Sequence, residues 1–229
     1  MNRRLSQLFD LLPKAGKGII DIGTDHGMIP IRLAQSGYPG RILASDIVQG
    51  PLNTAIEAAA ACGLEGHIDF LLCDGLERCP PNAVDTILIA GMGGDTICGI
   101  LDRAEWLFSA PYRLVLQPMT RAEVVRYWLI HNEYRIEKEA VISEDQHVYQ
   151  MFAAIPGKNE SMEDAEYLVG SMKIPHFGDS PILLIERQIE LTEKKLSGLS
   201  MASDERSPTY LFYTGIRNQL NRMKQELAE

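Results

Sequence analysis

The segment Asp21-Ile22-Gly23-Thr24-Asp25-His26-Gly27 follows an apolar run that begins at Gly18 and precedes a helical pattern. Glycines at 23 and 27 let a turn take φ > 0 and bring backbone close to a ligand. Turn amides and the start of the following helix present unpaired N–H groups, so Asp21, Gly23, Thr24 and Gly27 frame a loop suited to a ligand ending in carboxylate or phosphate. The spacing G-x-x-x-G lacks the middle glycine of the dinucleotide fingerprint, and a tight strand-to-helix turn without ligand is the plain alternative. Two further acids close apolar runs in the same way. Asp46, followed by Ile47, can accept both hydroxyls of an adenosine ribose, or serve as a turn acid before Gly50-Pro51. In Cys73-Asp74-Gly75 the carboxylate can accept an adenine amino group while Gly75 leaves room for the ring, or the pair can simply make a turn. Three acids at three successive strand ends are hard to explain as three unrelated turns, because ligands of open α/β sheets sit outside those ends.

Beyond the fourth apolar run, Ala90-Gly91-Met92-Gly93-Gly94 supplies flat, side-chain-poor backbone beside the same crevice. After the fifth, Leu116-Gln117-Pro118-Met119 adds the amide of Gln117, which both donates and accepts, as a reacting base edge would require. Asp25 and His26 project from the first loop, where either could take up a proton or orient a nucleophile, or cap and pack the helix start. NAD and S-adenosylmethionine both carry the ribose that Asp46 would hold. The remaining histidines, His67, His131, His147 and His176, have no metal-ligand spacing, and Cys62, Cys73, Cys79 and Cys98 fit neither a CxxC zinc pair nor a small disulfide framework, so no metal is expected.

These loops need an alternating framework. Leu5, Leu8, Phe9 and Leu12 at helical spacing predict a leading helix over Arg4 to Leu12, ended by Pro13 and Gly16. Strands are predicted over Gly18 to Ile22, Arg41 to Asp46, His67 to Leu72, Val84 to Ala90 and Arg113 to Leu116. Helices are predicted over Met28 to Ser36, Gly50 to Cys62, Asp95 to Leu107 and Thr120 to His131, the last with Thr120 as N-cap. Tyr134 to Ile142 and Gln146 to Ile155 read as two strands joined by Ser143-Glu144-Asp145, a connection so short that this pair must be antiparallel. Such an ending is unusual for dinucleotide oxidoreductases. After Pro156-Gly157, Asp179-Ser180-Pro181 leads into an amphipathic helix carrying Leu184, Ile185, Gln188, Ile189, Thr192 and Leu196. A loop over Ser200 to Arg206 separates it from a second helix, capped by Ser207 with Pro208 at its first position and running from Tyr210 toward Leu227. The reading is an α/β chain in two parts. Residues 1–157 form a ligand-binding domain with a mostly parallel seven-stranded sheet ending in an antiparallel hairpin, and residues 158–229 form a small C-terminal helical pair, coiled-coil-like.

With 229 residues, 45% of them hydrophobic, the chain can bury one full-sized core plus a small appendage. No run approaches a membrane span, and Met1 to Ser6 lack the apolar stretch of a signal peptide, so a soluble cytoplasmic protein is expected, with a monomer compatible with the sequence. The net charge of −9, with neither part basic, excludes a surface coated in cations, so any nucleic-acid contact needs a local patch.

Taken in order, DIGTDHG, SDIVQGPL, CDGL, AGMGG and LQP resemble the bacterial tRNA (adenine(22)-N(1))-methyltransferase family, and the hairpin and two-helix ending extend the resemblance over nearly the whole chain. The combination of DHG with AGMGG is specific. The resemblance implies a class I methyltransferase sheet binding S-adenosylmethionine through the loop around Gly23 to Gly27, through Asp46 and through Asp74-Gly75. It also implies methyl transfer to adenine N1 in tRNA without a metal. Met28-Ile29-Pro30 stands where the family has Tyr-Leu-Pro, and Met119 where it often has Asn. Lys194, Lys195, Arg217, Arg222 and Lys224 on the helical pair are expected phosphate contacts, or else a solvated face balanced by Glu186, Glu190, Glu193 and Glu226. Another methyl acceptor and a nicotinamide-dependent oxidoreductase are the competing functions.

Overall fold

The computed structural model describes residues 2–145, 147–178, 181–202 and 205–227. Helix α1 (Arg3–Leu11) opens the chain, with the Asn2 side chain accepting from the Leu5 amide at 2.9 Å. The alternating region is β1 (Gly18–Ile22), α2 (Met28–Gln35), β2 (Arg41–Asp46), α3 (Gln49–Ala61), β3 (Asp69–Leu72), β4 (Thr86–Gly93), α4 (Gly94–Asp102), β5 (Arg113–Thr120) and α5 (Ala122–His131). The hairpin β6 (Tyr134–Glu144) and β7 (His147–Pro156) follows, and then α6 (Asp164–Val169), β8 (His176–Gly178), α7 (Pro181–Ala202) and α8 (Pro208–Glu226).

One sheet in the order β3-β2-β1-β4-β5-β7-β6-β8 runs through the molecule. Every pairing is parallel except those of β7 with β5 and β6. The chain steps outward from β1 to β3 and then returns to the other side of β1, so β1 and β4 flank the point where the order reverses. A crevice must open there, at the carboxyl ends of the strands.

Period-two alternation sorts the strand side chains into two cores. Ile20, Leu43, Ile87, Ile89, Leu114 and Leu116 face α4 and α5, packing on Ile97, Leu101, Val125 and Leu129. On the opposite side Ile19, Ile42, Leu88 and Val115 face α1 and α2, meeting Leu5, Leu8, Ile29 and Leu33. With both faces covered, the central strands read as continuous apolar runs, which is why β1 and β2 were legible to within a residue. Helix α1 crosses to the far half of the sheet, where the Arg3 amide donates to Glu144 Oε1 at 2.8 Å and its guanidinium to the Ser143 carbonyl at 3.3 Å.

Four local readings change. The helix expected through Leu107 stops at Asp102, and Glu105–Ser109 forms a 3-10 turn. Thr120 is not the cap of α5, because β5 continues through Thr120 to pair with Gly93, and the reversal falls on Arg121 in left-handed conformation (φ 56°). The seven expected strands are joined by an eighth, β8, which pairs with β6 through Glu139↔His176. The hairpin turn is tighter than expected, with Glu144 opposite His147. Ser207 caps α8 as expected, accepting from the Tyr210 amide. Asp179, Ser180, Ser203 and Asp204, which belong to the expected leader and loop around α7, lie outside the described residues.

The part after Gly157 is stitched to the sheet. Val141 of β6 packs with Ala165, Val169, Leu184, Ile185, Ile216 and Leu220 in a third cluster. Beneath it, fully buried Arg126 of α5 forms a two-pronged pair with Glu139 of β6 (2.7 and 3.2 Å) and donates to the Tyr167 carbonyl and to Gln150 Oε1. Every guanidinium nitrogen is thereby satisfied, as a charge in such a place requires. Gly170 closes the cage: it has φ 89°, and a Cβ there would lie 2.2 Å from Glu139 Oε2. Truncating Arg126 alone strands a buried carboxylate, so Arg126→Ala is expected to lower unfolding free energy by about 3–5 kcal/mol, whereas Arg126→Met combined with Glu139→Leu recovers most of that loss. Urea unfolding midpoints of the three proteins check this; equal destabilisation by the single and double variants contradicts it.

Candidate active site

The first loop hangs from the end of β2. Gly23 and Thr24 amides both donate to the Ser45 carbonyl at 2.8 and 2.9 Å, and the Asp25 amide donates to Asp46 Oδ2 at 3.3 Å. Asp46 Oδ1 accepts from the Val48 amide at 2.9 Å. One edge of this largely buried carboxylate is thus fixed by backbone, leaving its remaining lone pairs for a ligand. Gly23 takes the left-handed φ of 72° that favours glycine, and a Cβ there would displace the Met92 methyl. Asp25 also takes a left-handed conformation (φ 51°) and carries its side chain into solvent beside His26, 3.6 Å away.

Asp21 is buried, and Thr24 Oγ1 donates to it at 2.8 Å. Burial pushes its carboxyl up to about 6, the Thr24 hydrogen bond opposes that rise, and the nearby Asp46 charge adds to it.

Two cavities meet over this loop. The larger, about 570 Å³, is lined by Gly23 and Asp25 of the first loop, Asp46-Ile47, Asp74-Gly75 and Ala90-Gly91-Met92. Its last wall is one face of α4, where Thr96, Gly99, Ile100 and Arg103 stand. Arg103 Nη2 lies 2.9 Å from Asp74 Oδ1, holding one oxygen of that carboxylate. The smaller cavity, about 290 Å³, is bounded by Arg4, Leu5 and Leu8 of α1, by Asp21, Thr24 and His26, and by Met119. Gly23, Asp25, Ala90 and Gly91 line both, so the seam between the cavities is mostly backbone. Gly91 (φ 81°) sits at a bulge where β4 slips against β5, and a Cβ added there would meet nothing within 4 Å.

Of the expected ligand-binding residues, Gly23, Asp46, Ile47, Asp74, Gly75, Ala90, Gly91 and Met92 therefore converge on the larger cavity, while Asp21 and Thr24 face the smaller one. Gly27, Gly93 and Gly94 line neither; Gly27 packs on Ala55 of α3, and Gly94 sits against the Arg121 carbonyl. Gln117 does not present its amide to either cavity. It is fully buried, accepting from Arg4 Nη1 at 2.6 Å and donating to the Pro118 carbonyl and the Met119 sulfur, so Arg4 and Met119 reach the cavity in its place. The wall of α4 and the contribution of α1 were missed by sequence reasoning. For α4 a signal existed, since Asp95, Thr96, Gly99 and Arg103 fall on one helical face. On the helical pair, Arg222 is held by Glu163 and lies 4.0 Å from Glu226, Lys224 by Glu186 and Lys195 by the Tyr213 hydroxyl.

A family model described as a methyltransferase domain matches residues 1–152. The chain is 30% identical over 177 residues to the tRNA (adenine(22)-N(1))-methyltransferase of Bacillus subtilis (strain 168), covering 77% of this chain and 74% of that protein. The solved structure of Streptococcus pneumoniae Sp1610 shares the fold, with a TM-score of 0.84 at 23% identity over 98% of this chain and 99% of that one. The structure of M. capricolum TrmK in complex with S-adenosyl-homocysteine is 29% identical, with a TM-score of 0.77 over 100% of this chain and 98% of that chain. The strand-end acids, the cavity they surround and these likenesses agree: the chain belongs to the methyltransferase-domain family and, within it, to the tRNA (adenine(22)-N(1))-methyltransferases.

Proposed function

We propose that the chain transfers a methyl group from S-adenosylmethionine to N1 of adenine 22 in tRNA. The observation that carries this is the meeting of two cavities across a seam of Gly23, Asp25, Ala90 and Gly91, as transfer between a bound donor and a bound acceptor requires. The donor set of the larger cavity suits an adenosine with an amino-acid tail: Asp46 for the ribose hydroxyls, Asp74 with Gly75 for the adenine amino group, and the amides of the first loop for the carboxylate. The likeness to a B. subtilis enzyme named for adenine 22, and to a relative solved with S-adenosyl-homocysteine, supports the same assignment.

When bound, S-adenosylmethionine supplies a methyl group already activated by its sulfonium. The chain's own task is positioning. Gly23 and Gly91 bring no side chain to the seam and Ala90 only a methyl, which would leave room for the methyl group to pass from the donor's sulfur to adenine N1. The positive charge left on the base is relieved as the N6 amino group releases a proton, and Asp25, which borders both cavities, is the carboxylate placed to receive it or pass it to solvent. Gln117 serves behind the site, fixing the Arg4 guanidinium that borders the acceptor cavity. N1 lies on the pairing edge, so the target nucleotide enters the smaller cavity unpaired and out of its stack. No side chain is required as a metal ligand in this scheme.

Incubating the pure protein with S-adenosylmethionine and unmodified tRNA is expected to give 1-methyladenine at position 22; tRNA left unmethylated while a small molecule or protein is labelled defeats the proposal. Asp46→Ala is expected to weaken S-adenosylhomocysteine binding at least about tenfold by calorimetry while the protein stays folded. Wild-type affinity in that variant would refute the pocket.

Asp21 generates a further expectation. Its folded-state value of about 6 exceeds the ordinary 3.8, so the folded state is favoured at low pH and loses that advantage as pH rises through the folded value. Asp21→Asn, which keeps a partner for Thr24, should therefore gain stability over wild type progressively between about pH 4 and about pH 7, reaching on the order of 2–3 kcal/mol. Denaturant midpoints across that range test it, and a pH-independent difference would show that Asp21 is not the titrating group.

A further inference from the structure

The acceptor cavity has a continuation. Met119 lines it and also lines a third cavity of about 250 Å³ between the end of β5, the start of β7 and α7, where Arg187, His147 and Tyr149 stand. That third cavity in turn shares Glu123, Gln188 and Leu191 with a groove of about 810 Å³ bounded by α5, α6, α7 and α8. Neighbouring cavities thus share lining residues from the methyl-transfer seam to the C-terminal helices.

The walls of the groove are aromatic. Tyr127 of α5 stacks on His131, with ring centres 3.7 Å apart and planes 22° from parallel, and lies 6.1 Å from Tyr167. From the other side α8 presents Phe212 and Tyr213, and the Lys195 ammonium sits 4.1 Å over the Tyr213 ring. Among the described residues three large aromatic side chains are exposed, Phe108, Tyr127 (56%) and Phe212 (48%), and two of them face this groove. Exposed aromatic faces next to cations are the chemistry that holds unstacked bases. The groove also carries Glu123 and Asp164, which a channel for phosphates would not. Ring faces rather than backbone charge are what it can recognise, with Arg4 and Arg187 in the neighbouring cavities left to meet phosphates.

We infer that the groove between α5 and the α7–α8 pair binds the unpaired tRNA nucleotides flanking the target adenine, stacking their bases on Tyr127 and Phe212. This rests on the tRNA reading of the acceptor. A nucleotide turned out into the smaller cavity keeps its covalent neighbours, and those neighbours must lie along whichever surface adjoins it. The cavities adjoining Met119 give them one. It also answers how a chain of net charge −9 holds RNA, since stacking needs no excess of cations.

The test uses the full chain with Tyr127→Ala, Phe212→Ala and both together. Fluorescence anisotropy with an unmodified tRNA transcript is expected to show affinity about tenfold weaker for each single change and weaker again for the pair, with KM for tRNA rising in parallel. The kcat and S-adenosylhomocysteine affinity are expected to stay within about twofold, because neither residue borders the seam. Tyr127→Phe and Phe212→Tyr should restore binding, and the salt dependence of tRNA binding should keep the wild-type slope, since no phosphate contact is removed. Wild-type tRNA affinity in the double variant, alongside a wild-type protein that methylates tRNA, overturns the groove while leaving the acceptor intact. Loss of a sedimenting dimer in the double variant with tRNA affinity unchanged also overturns it, marking an interface between copies. If the wild-type protein neither binds nor methylates tRNA, the acceptor reading falls and the groove assignment falls with it.

Discussion

A single carbonyl carries the site. Ser45 O takes two amide protons from the first loop, and the neighbouring Asp46 carboxylate takes a third. That cluster ties the glycine turn after β1 to the end of β2, so the loop cannot drift from the acid beside it. The geometry exists only because β1 and β2 are parallel neighbours whose carboxyl ends lie level, Ile22 opposite Ser45. Parallel pairing therefore does more than form a core. It brings acids separated by dozens of residues to one rim, and the reversal of strand order between β1 and β4 leaves the rim open above them.

The rim was legible because its signals are local. An apolar run ended by an acid and a turn can be read without knowing what lies opposite, which is why Gly23, Asp46 and Asp74, picked out by spacing, lie along one cavity. Gln117 shows the limit. Its amide was read as facing a ligand, yet along β5 it shares parity with Val115, which packs on the α1 side, rather than with Leu114 and Leu116. Parity alone would have turned the amide toward α1, but the arginine that occupies it stands 113 positions earlier. No spacing rule reaches so far. The strand β8 is hidden for a different reason: three residues carry too little pattern to separate a strand from a polar loop.

Two chemistries divide the molecule. Around the seam, backbone and carboxylates do the holding, and side chains are kept out by glycine. Farther along the sheet the polar work is done by one enclosed cation, Arg126, whose partners come from β6, β7 and α6. Family membership settles the competition with a nicotinamide enzyme in favour of methyl transfer. The hairpin that pointed that way is also the platform on which the C-terminal helices rest, through Val141.

Helix α1 has a consequence for the order of assembly. It precedes the sheet in the chain, yet its anchors, Ser143 and Glu144, come some 140 residues later. Until the hairpin exists, Leu5 and Leu8 lack the part of their apolar bed made by Ala140, Ile142, Met151 and Ala153, and the closing of so long a loop is entropically uphill. The lining of the larger cavity ends at Arg103, whereas the smaller one also needs Met119 and an α1 seated on the hairpin. Synthesis therefore completes the residues of the larger cavity before those of the smaller one.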